Sequence, residues 1–127
     1  MTALGDASFW ATLPASDLER AKRWYGDMLG LTPVVETDQW LTYRCGDSVI
    51  QLYPTASAGT AAHTLGGWVV EDLEATVAEL RGRGVAFEEY DFPGLKTENG
   101  VALVGTERAA WFKDTEGNTI VISQTIS

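Results

Sequence analysis

The sequence is short of the residues that most often carry chemistry. It has one cysteine, Cys45, and one histidine, His63. A lone cysteine excludes a disulfide within the chain, and Cys45, although flanked by Arg44, reads as a small core residue rather than a reactive thiol. One imidazole excludes the usual cysteine and histidine spacings of a zinc site, and no Ser-His-Asp order or phosphate-cradling glycine loop is present. Basic residues are also scarce. Nine against eighteen acidic residues leave a net charge of −9, a field that repels phosphate backbones, so no nucleic acid partner is expected. No run approaches the roughly 20 apolar residues of a membrane span, so no membrane partner is expected. The opening MTALGDASFW lacks a basic segment followed by an apolar core, so a secretion signal is not expected either. Together these absences point to a reducing cytoplasm.

What is present is a repeat. At 127 residues with 45% hydrophobic content, the chain is expected to form a single domain, 1–127, around one core. SFWATLP reads as a strand. SDLERAKRWYGDMLG follows as a helix, capped by Ser16 or Asp17, ended by Gly30, and turning Leu18, Ala21, Tyr25 and Met28 to one face. PVVE, WLTYRC and SVIQLY then read as strands, the last two joined at Gly46-Asp47. After the small-residue stretch 54–62 the same order returns. HTLGGWVV is a strand, EDLEATVAELRGRG a helix with Leu73, Val77 and Leu80 inward, and VAFEEY, VALVG, AAWFK and NTIVIS are strands. Asp17-Leu18-Glu19 recurs 55 residues on as Asp72-Leu73-Glu74, and Ile50 recurs 70 residues on as Ile120. The second unit is therefore longer, and DFPGLKTENG holds the excess. Two β-α-β-β-β modules, about 7–53 and 63–124, make this an α+β fold.

LPASDLERAKRWYGDMLGL, VVEDLEATVAELRGRGV and WFKDTEGN resemble the scaffold signatures of the vicinal oxygen chelate superfamily, which contains glyoxalase I, extradiol dioxygenases and bleomycin-resistance proteins. The resemblance covers nearly the whole chain. It implies that each module curls its sheet and that two modules form a cup holding the ligand. It also implies four metal-ligand positions, which carry over to Trp10, Gln51, Leu65 and Val121. Trp, Leu and Val offer no lone pair for a metal, and a glutamine oxygen is a weak neutral donor. His63 lies two residues before Leu65, so a register error of two would turn it inward. No acidic residue occupies the other three positions, however, and no metal or other cofactor is expected.

Turn chemistry assigns the inward side chains. DTEGN suits a type I turn with Gly117 in the left-handed bulge position, pairing Phe112 with Ile120 against the helices and Trp111 with Val121 in the cup. The Gly46-Asp47 turn pairs Thr42 with Gln51, Arg44 with Val49 and Trp40 with Tyr53. The expected wall is Trp10, Thr12, Trp40, Thr42, Gln51, Tyr53, Leu65, Trp111 and Val121, with Arg44 nearer the rim. Tyr90 and Phe92 lie on a segment apolar enough to serve as a lid, while Trp24 and Trp68 read as core. Such a wall suits a planar, partly polar ligand, and tryptophan faces would also attract a cation, in step with the acidic charge. Exposed Glu88, Glu89 and Asp91 read as solvated, and no residue is singled out as catalytic.

Resemblance to the bleomycin-resistance branch implies a metal-free, homodimeric, cytoplasmic protein. It would sequester an aromatic natural product or antibiotic and so confer resistance. The alternative is an enzyme: a glyoxalase-like lyase or dioxygenase with an unusual metal set, or a cofactor-free isomerase acting through Gln51, Tyr53 or Glu88. A third class, a protein-interaction domain, would leave tryptophan fluorescence indifferent to small molecules.

Overall fold

A computed structural model describes residues 3–125 as two curved four-stranded sheets and two helices. The first module comprises β1 (Ala11–Ala15), α1 (Leu18–Leu29), β2 (Val35–Glu36), β3 (Leu41–Cys45) and β4 (Ser48–Pro54). The second comprises β5 (Thr64–Val69), α2 (Leu73–Arg83), β6 (Asp91–Phe92), β7 (Leu95–Lys96), β8 (Val101–Val104), β9 (Glu107–Lys113) and β10 (Thr119–Thr125). The first sheet has the order β1-β4-β3-β2 and the second β5-β10-β9-β8, so each module closes by a parallel pairing of its first and last strands. β6 and β7 form a separate hairpin.

Local chemistry explains the helix ends. Asp17 and Asp72 are extended N-caps whose carboxylates accept from the backbone N–H three residues on, and Gly30 and Gly84 end the helices in the left-handed conformation. From α1, Ala21 and Tyr25 are fully buried, with Leu18 and Met28 packed against the core. From α2, Leu73, Val77 and Leu80 are buried. Pro14 sits in β1 without breaking the sheet because β1 is an edge strand.

The ladders follow the turns. Cys45 pairs with Ser48 across Gly46-Asp47, which sets Thr42 against Gln51 and Arg44 against Val49. In the second module Asp114 and Asn118 close the DTEGN turn with Gly117 at φ 82°, setting Phe112 against Ile120 and Trp111 against Val121. Alternation then buries Leu13, Leu41, Tyr43 and Leu52 of the first sheet, and Ala110, Phe112, Ile120 and Ile122 of the second. All of these belong to one core.

One expectation for the second module is corrected. VAFEEY is not a strand. Val85 is hydrogen-bonded back to Leu80 at the end of α2, leaving only the Phe87–Phe112 bridge and the Glu88 N–H to Trp111 carbonyl bond. The excess segment is ordered, because Pro93-Gly94 turns it into the β6–β7 hairpin with Gly94 at φ 88°.

Candidate functional site

Each sheet has an outer face opposite the core. On the first sheet, the register of β1, β3 and β4 brings Thr12, Thr42 and Gln51 side by side across three strands. Gln51 Nε2 donates to Thr42 Oγ1 at 3.4 Å. Tyr53 lies two residues further along β4, beside Pro14, and Val35 pairs with Thr42 on the far side. Trp10 and Trp40 immediately precede β1 and β3 and continue the same alternation. Trp40 is held by reciprocal bonds with Thr37. Trp10, Trp40 and Tyr53 are 50%, 41% and 41% exposed, far more than a core aromatic. Six of the expected wall residues thus share one open face.

On the second sheet, Trp111 and Val121 are paired neighbours, with Ala109 and Ser123 continuing the face. The β6–β7 hairpin roofs part of it. Tyr90 meets the Trp111 ring edge-on at 5.6 Å between centroids, and Phe92 lies 5.9 Å from Tyr90, so three aromatic rings run in sequence out to a half-exposed Phe92. Burial, with the Glu88 charge second, raises the Tyr90 phenol above its ordinary value. The hairpin is fastened at its base. Buried Thr97 accepts from Tyr90 N–H at 2.8 Å and donates to Glu89 at 2.7 Å, while Glu89 also accepts from Gly100 N–H at 2.7 Å. These bonds, Thr97's first, hold the Glu89 carboxyl below its usual range.

Leu65 stands apart. The β5–β10 register shifts between Thr119, paired with Thr64, and Ile120, paired with Gly66, so Leu65 is passed over in the ladder and packs against the core, and Gly67 lies beside Val121. Gly67 is required there, because a β-carbon would collide with the carbonyl oxygen and side chain of Val121. The Gly66-Gly67 pair is the signal of that close approach in the sequence.

The two faces look in opposite directions. Consecutive residues of α1 reach both sheets: Tyr25 packs on Tyr43 of β3 at 5.6 Å, and Trp24 on Phe112 of β9 at 6.0 Å. Each contacted strand is third in its sheet, counted from β1 or β5. The helix is therefore clamped between the core-facing sides, and an apolar cavity of about 210 Å³ lies between those sides, lined by Leu13, Ile50, Trp68 and Ile120 among others. None of the expected wall residues lines it. The two outer faces of the chain accordingly lie on opposite sides of the shared core.

The donor set does not fit a metal. Trp10, Gln51, Leu65 and Val121 provide one neutral amide between them, and His63 is exposed just ahead of β5. Among the described residues no three of His, Cys, Asp or Glu converge as a cation site would require. Nor is any helix among them long and apolar enough to cross a membrane.

Comparison with known proteins agrees with this architecture. No curated protein matches the sequence. Among solved structures, TnmS3, an antibiotic-binding protein from Streptomyces sp. CB03234, superposes with a TM-score of 0.69 at 22% identity, covering 98% of this chain and 99% of that one. A bleomycin-binding protein complexed with bleomycin gives 0.66 at 17%, covering 94% and 98%. Lactoylglutathione lyase from Agrobacterium tumefaciens gives 0.66 at 18%, covering 94% and 93%. Identities this low speak for the fold alone. The model of the Glyoxalase/Bleomycin resistance protein/Dioxygenase superfamily matches residues 8–122, and the chain belongs to that superfamily.

Proposed function

We propose that this chain is a metal-free binding protein that sequesters an aromatic natural product or antibiotic, acting as a cytoplasmic homodimer. The observation that carries the reading is the pair of outer faces. They hold large aromatics at 41–53% exposure, Trp10, Trp40 and Tyr53 on one sheet and Phe92 on the hairpin that roofs the other, beside neutral hydrogen-bonding groups and no metal donor set. Exposed indole and phenol rings gathered on a curved sheet fit a flat ligand, each good stack contributing about 0.5 to 1.5 kcal/mol beyond burial. The fold shared with TnmS3 and the bleomycin-binding protein, whose ligands are antibiotics, supports the same reading. Because the two outer faces of one chain lie on opposite sides of the core, a two-sided cup needs the first-sheet face of one copy against the second-sheet face of another. A two-fold dimer would make two such cups.

The test is titration of the purified protein with aromatic antibiotics, followed by tryptophan quenching, with Trp10→Ala and Trp111→Ala alongside. Saturable quenching that weakens by tenfold or more in both variants is the expected result; binding that survives both substitutions overturns the wall. Stoichiometric metal retained by the wild type and lost in His63→Ala would instead favour the second reading, a glyoxalase-like lyase, for which the fold shared with lactoylglutathione lyase speaks.

A further inference from the structure

The chain as a whole is strongly acidic, yet the outer face of the first sheet contains no carboxylate. The ladder places Thr12, Val35, Thr42, Val49, Gln51 and Tyr53 there, all neutral. Glu36, one residue along β2, turns to the other side and pairs with Lys22 of α1 at 2.7 Å. The single formal charge on the face is Arg44, which shares it by pairing with Val49 in register with Thr42 and Gln51.

Arg44 is also unusual among the basic residues. Arg20, Lys22, Arg83, Arg108 and Lys113 each pair with a carboxylate. Arg81 donates to the Asn99 carbonyl and lies over the Phe87 ring at 5.4 Å. Among the described residues, Arg23, Arg44 and Lys96 have neither, and Arg44 alone of these lies on the aromatic face. It makes no side-chain hydrogen bond or ion pair among the described residues. Asp38 and Asp47 on the flanking turns leave it unpaired too, although acidic residues outnumber basic ones two to one in this chain. Its α-carbon lies about 7 Å along β3 from that of Thr42. An arginine side chain is long enough to span that distance along the face.

Resting on the reading of this face as an aromatic binding surface, we infer that its ligand is a planar aromatic acid, its ring system stacked on the exposed aromatics and its carboxylate held by the Arg44 fork. Guanidinium matches a carboxylate with two parallel hydrogen bonds, and the fork stays charged at any physiological pH. The neighbouring Gln51 amide and threonine hydroxyls add donors and no competing negative charge. Local sign therefore overrides net charge. The overall −9 favours cations at long range, where salt screens it within about 10 Å, whereas the contact surface itself selects an anion.

Isothermal titration with 2-naphthoate, 2-naphthamide and 2-naphthylmethylammonium separates the terms, since the three share a ring system and differ in charge. The wild type is expected to bind the carboxylate about tenfold or more tightly than the amide, with the ammonium weakest, and added salt should narrow that gap. In Arg44→Gln the ratio of amide to carboxylate Kd should collapse towards one, and Arg44→Lys should restore part of it. The rank order in the wild type needs no variant to be informative. Amide or ammonium bound as tightly as the carboxylate, or a ratio unchanged in Arg44→Gln, overturns the acid selectivity while leaving an aromatic surface in place. Binding of none of the three probes removes that surface as well.

Discussion

Glu116 belongs to the turn between β9 and β10, yet most of the hydrogen bonds its carboxylate accepts come from the first module: Ser16 N–H at 2.8 Å, Asp17 N–H at 3.1 Å, and the Arg20 guanidinium at 2.9 and 3.0 Å. Burial alone would raise its pKa, but these donors outweigh it and bring the value down to about 2. Because the folded value lies below the ordinary 4.5, the stabilisation is fully present above about pH 4.5 and lost as pH falls towards 2, and its ceiling is roughly 3 kcal/mol. Denaturant titrations across this window should show that loss in the wild type, and Glu116→Gln should be destabilised at pH 7 and show a shallower acid slope. A variant with wild-type stability at pH 7 would deny the residue this role. The Tyr43 hydroxyl makes the opposite case. It is buried without a hydrogen-bond partner among the described residues, and burial, with the Glu36 charge second, pushes its pKa to about 12. Tyr43→Phe should therefore match or exceed wild-type stability, by up to about 1 kcal/mol in a melting experiment. Neither residue stands out in the sequence, because which oxygen finds a donor depends on contacts across about 100 positions of chain.

At the scale of elements, helices and hairpins were legible because their signals are local. Asp-Leu-Glu openings, terminal glycines and the two turns set the caps and the Thr42–Gln51 and Trp111–Val121 registers before any tertiary contact is known. Elements fixed at long range were not. VAFEEY has the residues of a strand, but Glu89 is committed to Thr97 and Gly100, and the chain leaves the sheet to become the hairpin roof. Leu65 fell out of its expected place because the bulge beside Gly66-Gly67 answers to β10, a strand more than 50 residues away. The roof makes its own prediction. Thr97→Val removes both the acceptor for Tyr90 N–H and the donor to Glu89, a loss of about 1 to 2 kcal/mol borne by the hairpin rather than the core. Hydrogen exchange across 89–100 should accelerate several-fold while the melting temperature moves little. Unchanged exchange there would mean that ring packing on Trp111, not the base of the hairpin, holds the roof.

At the scale of the whole molecule, alternation sorts residues between the faces of a sheet but says nothing about how two sheets are set against each other. The face that Thr12, Thr42 and Gln51 share was legible in the sequence, whereas the placing of the two sheets on either side of α1 was not; that placing depends on Trp24 and Tyr25 reaching opposite sheets from neighbouring positions. The placing makes the assembly testable. Consider Trp10→Ala, which damages the first-sheet face, and Trp111→Ala, which damages the second. In the proposed homodimer of either variant every shared cup has one damaged half, so neither variant should keep a full-affinity site. When the two are mixed and allowed to exchange subunits, each heterodimer pairs the intact first-sheet face of one chain with the intact second-sheet face of the other. Its remaining cup combines both damaged faces. Titration of the mixture should therefore recover wild-type affinity in up to one site per heterodimer, beside a second class weaker than either variant alone. A cup built within one chain, or a ligand held by one face only, predicts no recovery on mixing, because every chain in the mixture carries the same lesion it had before.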